Sequence, residues 1–290
     1  MPVAVPRSLD DAVRLLADEP DAMLLAGGTD AMVEINDGHR RPGESVIALN
    51  RVAELRSWSH DPATGTLTIG AGVTYKELMN DPIARWSPAL AEASRTVGSP
   101  QIRAAGTLGG NVGTCSPAGD ALPVLAALDA QVRLVSSAGG RTLPVSDVMV
   151  GVKRTSIEPG ELIADITIPA ASGPQGYAKV GVRNAMVIAV ASACVAVDSE
   201  AKSVAIALGS VSPTVVRCPD AESLLAASVD WQTGSVDIEI IAAAIARVRS
   251  RAQPITDHRS TAEYRSHAVG VLVQRLLRRS FRIESAGVRA

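Results

Sequence analysis

Aromatic side chains are scarce in this chain, at 2% of 290 residues, with Phe281 the single phenylalanine. A planar ring bound here would have to rest mostly on aliphatic side chains and backbone. Cysteine is scarce too. Cys115, Cys194 and Cys218 lie far apart with no CxxC pair, which argues against a disulfide framework or a cysteine-held zinc or iron–sulfur site and leaves small thiols in a reducing compartment. His39, His60, His258 and His267 have no partner at ligand spacing, so no metal site is expected. Ser116 has no evident His and Asp partners, so nucleophilic hydrolysis is unsupported, and no acid–base catalytic residue is assigned. Charge of one sign is lacking as well. Against 30 acidic residues stand 28 basic ones, a net charge of -2, and nucleic acid is therefore not an expected partner. No apolar run approaches a membrane span, and the first twenty residues carry charges and two prolines where a secretory leader needs an apolar stretch. A cytoplasmic protein without a membrane partner is expected.

What is present is ordinary globular usage, 47% hydrophobic and 20% charged, in a length that favours about two domains. Ser8 followed by Leu9, Ala12, Val13, Leu15 and Leu16 predicts a capped amphipathic helix. Strands at MLLAG and from Val46 to Leu49, bridged by a helix, predict a small α/β unit with parallel strands. TLTIGAGVT reads as a strand running into a helix that Thr74 caps and that stops before Pro82, and a further helix is predicted from Pro88 to Thr96. Helix from Ala121 to Leu128, strand from Gln131 to Val135 and strand ELIADITIP close the first half. After a boundary near Gly173, strand-like YAKVGVR, MVIAVASACVAVD and SVAIALGSVSP alternate with helices at Ala221 to Ala227, Ile238 to Val248 and Thr261 to Arg279. Arginines near the end of the last helix suit its dipole, Tyr264 falls on its apolar side, and the basic turn HRRP, His39 to Pro42, reads as a solvated charge run. The fold class is α+β.

Two glycine-rich segments carry the chemistry. In LLAGGTD, Leu24, Leu25 and Ala26 lead into Gly27 and Gly28, where the backbone can take positive φ and a ligand can approach without a Cβ in the way. Successive N–H groups there, with the hydroxyl of Thr29 and then Asp30, can converge on a phosphate; a plain turn is the alternative. The segment matches neither GxGxxG nor GxxxxGK[ST], which disfavours a Rossmann or P-loop site. The second segment, RAAGTLGGNVGTCSPAGD from Arg103 to Asp120, reads as a loop in which Thr107, Leu108, Gly109, Gly110 and Asn111 wrap closely around something. Asp120 is placed either to cap the following helix or to accept hydrogen bonds from a ligand.

LLAGGTD, TIGAGVTY, VGSPQIRAAGTLGGNVGTCSPAGDALPVLAALDA, ELI and YAKVGVRNAMVIAVASA, in this order over nearly the whole chain, resemble the FAD-binding medium subunits of molybdenum hydroxylases. Within that group AGGTDAMVEINDGHRRP, VGVKRT and KVGVRNAMVIAV are most similar to bacterial xanthine dehydrogenase flavin subunits. The resemblance implies a two-part FAD-binding domain of the PCMH/vanillyl-alcohol-oxidase-like type over residues 1–172, with subdomains of about 1–55 and 56–172, and a CO-dehydrogenase-flavoprotein-like domain over residues 173–290 with an antiparallel sheet and helices. It implies that Leu24 to Asp30 and Thr107 to Asn111 cradle the FAD pyrophosphate through backbone N–H groups, that Asp120 bonds the ribityl or ribose portion, and that Ile102 and Leu162 lie by the ring system. Lys179 would reach the flavin from the second domain; core packing for Ile102 and Leu162, and a solvated strand edge for Lys179, are the alternatives. The implied partners are a molybdopterin-binding large subunit and a two-iron two-sulfur small subunit, with NAD+ or oxygen as acceptor. The cysteine-bearing insertion with an extra iron–sulfur cluster found in some members is lacking, so FAD is the expected sole redox group. The same flavin role in a carbon monoxide, aldehyde or N-heterocycle dehydrogenase, or a non-catalytic nucleotide-binding role, are the alternatives.

Overall fold

The structure, a computed structural model, describes residues 3–39, 45–184 and 186–284. Arg40, Arg41 and Pro42 of the basic turn, and Ala185 in the run YAKVGVRNAMVIAV, lie outside the described residues. The chain opens as its pattern requires. Ser8 Oγ accepts from the amide of Asp11 at 3.1 Å and starts the helix Leu9–Asp18, which buries Ala12 and Leu16. Strands Met23–Leu25 and Val46–Ala48 pair in parallel, with the helix Ala31–Asn36 crossing between them. A third parallel strand, Val3–Ala4, adds to the other side of Val46–Ala48, so that Val46–Ala48 is central. At two residues it is too short to show any alternation in sequence.

A five-stranded antiparallel sheet follows, in the spatial order Trp58–Asp61, Thr66–Gly70, Leu162–Pro169, Gln131–Ser136, Gly139–Pro144. The last of these strands to be made sits in the middle. Ile166 pairs with Ile69 on one side and Val132 on the other, and all three are fully buried. Between the early and late strands lie the helices. Tyr75–Leu78 begins with a capping box in which the amide of Thr74 donates to Glu77 Oε2 at 2.8 Å and the amide of Glu77 donates to Thr74 Oγ1 at 3.3 Å. Pro88–Thr96 starts on its proline, as the pattern predicts.

The stretch from Arg103 to Asp120 is not the loop its glycines suggest. Helices Pro100–Ala105 and Leu108–Thr114 occupy most of it, started by Ser99 and Thr107, whose hydroxyls accept from the amides of Ile102 and Gly110 at 3.3 and 3.0 Å. Glycine disfavours helix in isolation, but here caps and close packing outweigh propensity. Asp120 does not cap the helix Leu122–Ala127 either, because Ala121 occupies that position and no side chain caps it.

The remaining chain forms a four-stranded antiparallel sheet, Gln175–Val180, Ala191–Asp198, Ser203–Gly209 and Val216–Arg217, with helices Pro219–Ser228, Ile238–Arg251 and Ala262–Ser280. Residues Met186 to Val190, expected as part of a strand, are irregular, and the ladder begins at Ala191. Tyr264 is 48% exposed rather than on the packed face of its helix. Burial of both faces explains why ASACVAV, Ser192 included, is closed to solvent throughout. Ala191, Ala193, Val195 and Val197 pack with Val269, Val273 and Leu276, while Cys194 and Ala196 join the core of the first half. One sheet thus serves two cores. Among the described residues no helix is long and apolar enough to cross a membrane.

A buried ion pair joins the halves. Lys179 Nζ donates to Asp120 Oδ2 at 2.7 Å, to the carbonyl oxygen of Thr96 at 2.9 Å and to that of Val187 at 3.1 Å. Tyr177 Oη donates to Asp120 Oδ1 at 2.6 Å. The two charged side chains are 7% and 9% exposed. Burial pushes the Asp120 carboxyl upward, against the pull of the Lys179 ammonium and the Tyr177 hydroxyl. Removing only one member strands the other charge. Lys179→Met is therefore expected to lower unfolding free energy by about 3–5 kcal/mol in urea titrations, with part of the loss restored by adding Asp120→Asn. A single variant as stable as the parent would mean that the pair does not tie the halves together.

Candidate functional site

The two glycine segments meet across one cleft of about 960 Å³. Each reaches it through a backbone approach that a side chain would block. A Cβ on Gly27 would lie 1.9 Å from the carbonyl oxygen of Ala105, and one on Gly109 would lie 2.5 Å from the Cβ of Ala71 and 2.8 Å from its carbonyl oxygen. Gly28 has φ of +70°, the left-handed region that glycine adopts without penalty. The first glycine pair is thereby pinned on the end of the helix Pro100–Ala105, and the second on the residue that follows the strand Thr66–Gly70.

Of the sixteen residues singled out in sequence, Leu24, Leu25, Ala26, Gly27, Gly28, Thr29, Asp30, Thr107, Gly109, Gly110, Asn111 and Leu162 line this cleft. The other four are placed elsewhere. Leu108 is fully buried in the core beneath. Ile102 is half-buried against Gly98, whose Cβ would come 2.7 Å from Ile102 Cγ2. Asp120 and Lys179 stand behind the wall, bonded to each other.

The segments differ in what they offer. Among the described residues the amides of Gly28 and Thr29 donate to no protein acceptor, so they are available to an anion. Four of the five amides of the second segment are engaged, that of Thr107 being the exception, so the segment does not offer the run of free amides expected of a matching nest. Leu108 N donates to the carbonyl of Val73 at 3.0 Å, Gly109 N to that of Ala71 at 2.8 Å, Gly110 N to Thr107 Oγ1 at 3.0 Å and Asn111 N to the carbonyl of Thr107 at 3.1 Å. Of its side chains, the Thr107 hydroxyl accepts from Gly110 N, and Asn111 Oδ1 is closed to solvent without a partner.

Several lining residues escaped sequence reasoning. Lys153, in VGVKRT, pairs with Glu34 of the helix Ala31–Asn36 at the cleft edge. Glu161 is held by Arg141 through two contacts of 2.7 Å, and these hydrogen bonds keep its carboxyl below the ordinary range. Tyr75 lies in the wall at 5% exposure, and burial, then the Asp120 and Asp30 carboxylates, hold its phenol far above the usual range. It is therefore protonated at neutral pH. The available signal was its place directly after the helix-capping Thr74 in TIGAGVTY.

Residues 1–171 match the family described as FAD binding domain in molybdopterin dehydrogenase, and residues 177–280 match the CO dehydrogenase flavoprotein C-terminal domain. The chain is 29% identical over 284 residues to the xanthine dehydrogenase FAD-binding subunit of Escherichia coli O157:H7, spanning 93% of this chain and 92% of that one. It is 32% identical over 297 residues to the nicotine 6-hydroxylase medium subunit of Paenarthrobacter nicotinovorans, spanning 99% and 97%. A chain of carbon monoxide dehydrogenase from Hydrogenophaga pseudoflava superimposes with a TM-score of 0.87 at 29% identity, over 97% of this chain and 96% of that one.

The glycines of the cleft can be separated by substitution. Gly27→Ala drives a methyl into the Ala105 carbonyl and is expected to lower the urea midpoint strongly and open the cleft. Gly113→Ala meets nothing closer than Ile163 Cδ1 at 3.8 Å, lies in a helix, and is expected to be neutral or to stabilise by up to about 1 kcal/mol. Equal effects of the two would contradict the close-approach role of Gly27.

Proposed function

The chain belongs to the family of FAD-binding flavoproteins of molybdopterin dehydrogenases, and from that premise we propose that it serves a xanthine dehydrogenase-type complex as the subunit that takes electrons from iron–sulfur clusters and delivers them to NAD+. Its cofactor is FAD. The cleft's chemistry fits that group: two unengaged backbone amides in the Gly28–Thr29 turn suit a phosphate, and Gly27 and Gly109 leave the backbone open to close approach. That turn of free amides, held in a cleft between the two glycine segments, is the observation that carries the reading.

FAD supplies the two-electron chemistry, and the protein supplies binding and orientation. In this reading Leu24 to Asp30 hold the pyrophosphate, while Thr107, Gly109 and Gly110 form the facing wall and Leu162 gives the apolar surface that a chain so poor in aromatics offers a ring. Asp120 and Lys179 shape the wall from behind as a fixed ion pair, and Leu108 and Ile102 support it through packing. No histidine lies among the described lining residues, and oxidation of the substrate is assigned to the large subunit. The 32% identity to a nicotine hydroxylase subunit favours, as second reading, the same electron transfer in a complex acting on an N-heterocycle.

The purified chain is expected to carry stoichiometric FAD, read by its absorption bands and by chromatography of the cofactor released on denaturation. Absence of flavin even after reconstitution would sink the cofactor reading for this cleft. In the complex with its large and small subunits, xanthine is expected to bleach the flavin bands anaerobically and NAD+ to restore them. Bleaching by nicotine but not xanthine would select the second reading, and recovery with oxygen alone would replace NAD+ as acceptor.

A further inference from the structure

Three arginines gather beside the cleft. Arg7, Arg51 and Arg56, with Asn50 and Ala53, line an open hollow of about 540 Å³. Asn50 and Arg56 also line the cleft, so the hollow adjoins its edge. Like charges repel unless carboxylates answer them. Arg56 meets Glu77 at 3.3 Å, but among the described residues the side chains of Arg7 and Arg51 form no ion pair and no hydrogen bond. Glu54, in the same segment, accepts from the amide of Leu9 at 3.1 Å and pairs with no guanidinium among the described residues. Apolar side chains flank the arginines. Val3, Val5 and Arg7 are exposed at alternate positions while Pro6 is buried, and Val3–Ala4 is an edge strand of its sheet. Trp58, two residues after Arg56, is exposed on Trp58–Asp61, an edge strand of the five-stranded sheet. The other two tryptophans have partners: Trp86 stacks on His60 with ring centroids 3.7 Å apart, and Trp231 Nε1 donates to the carbonyl of Ala226 at 3.0 Å. Trp58 has neither a ring contact nor a hydrogen bond among the described residues.

Tryptophan and arginine dominate the energetics of protein–protein contacts, and an apolar centre with a charged surround is the anatomy of such surfaces. An open hollow suits a small ligand poorly, because small-molecule sites enclose most of what they bind. Nucleic acid matches poorly a chain of net charge -2. What complements two unpaired guanidiniums is a surface bearing carboxylates, which the planar forks of arginine meet through paired hydrogen bonds. We propose that Arg7, Arg51 and Trp58 seat an acidic face of the electron-donating iron–sulfur subunit. The edge that the hollow shares with the cleft selects this occupant, since a subunit seated there lies against the compartment of the cofactor it reduces. The proposal rests on the reading of the chain as the subunit that accepts those electrons on FAD. It adds a surface that none of the glycine motifs touches.

Binding of the separately purified iron–sulfur and large subunits to the full-length, FAD-loaded chain is measured by calorimetry for the parent, Arg51→Glu, Trp58→Ser and Arg247→Glu. The last reverses an exposed charge on the helix Ile238–Arg251 and controls for net charge. None of the three residues lines the cleft, so flavin content and thermal unfolding are expected to match the parent. Arg51→Glu and Trp58→Ser are each expected to weaken the iron–sulfur subunit by roughly tenfold or more, the parent's affinity to fall as salt is raised, and Arg247→Glu to change nothing. No binding of the iron–sulfur subunit to the parent, unchanged affinity in either patch variant, or an equal loss in the control overturns the proposal. Weakening confined to the large subunit, or loss of a self-association of the chain in Arg51→Glu, gives the surface to another occupant and overturns it as well. These outcomes in a flavin-loaded parent leave the cofactor reading standing, whereas a parent that takes up no FAD removes that reading instead.

Discussion

The carbonyl oxygen of Ala105 occupies the space that a side chain on residue 27 would need, and the cleft exists because glycine leaves that space free. The constraint is steric, since a contact of 1.9 Å cannot be relieved by turning a flexible side chain when both parties are backbone. It fixes the Gly28–Thr29 turn against the helix Pro100–Ala105. The same logic at Gly109 sets the helix Leu108–Thr114 against Ala71, and the two contacts together determine which walls face each other. Every polar group in the cleft takes its place from this framework.

Behind the cleft, order is maintained by a different kind of interaction. Asp120 and Lys179 come from opposite halves of the chain and meet where little solvent reaches, with Tyr177 completing the carboxylate and two backbone carbonyls completing the ammonium. Pairs of this sort gain less from attraction than intuition suggests, because both charges are desolvated; their effect is to penalise arrangements that leave either one alone. The sheet that carries Tyr177 and Lys179 reinforces this by burying alternate residues in two cores. The cleft and the second half are thus mechanically continuous, although the ion pair itself does not line the cleft.

Much of the architecture was legible because it is local. Ser8, Thr74 and Thr261 announce helices by hydroxyls that accept from nearby amides, and the strand and helix runs around them fall within a few residues of expectation. Twelve of the sixteen residues that the glycine motifs and the family resemblance raised line a single cleft. Where expectation failed, a non-local contact decided. The second glycine segment is helical because Thr107 caps it and Ala71 packs on it, neither of which glycine content can signal. Met186 to Val190 leave the ladder despite their apolar run, and Val3–Ala4 join one despite their brevity.

By itself the sequence determined the α+β class, the order of most elements, the absence of a cysteine or histidine cluster with ligand spacing, and the glycine positions at which a backbone can be approached closely. These follow from periodicity, capping and the missing Cβ, which act within a few residues of each atom concerned. Only the tertiary structure decided that Leu162–Pro169 enters the centre of a sheet begun a hundred residues earlier, that Asp120 and Lys179 answer each other, and that the amides of Leu108 to Asn111 are engaged. It also decided that Tyr75 and Asn111 come to line one cleft. Hydrogen-bond satisfaction is a property of which distant segments are brought together, and no window of sequence contains both partners.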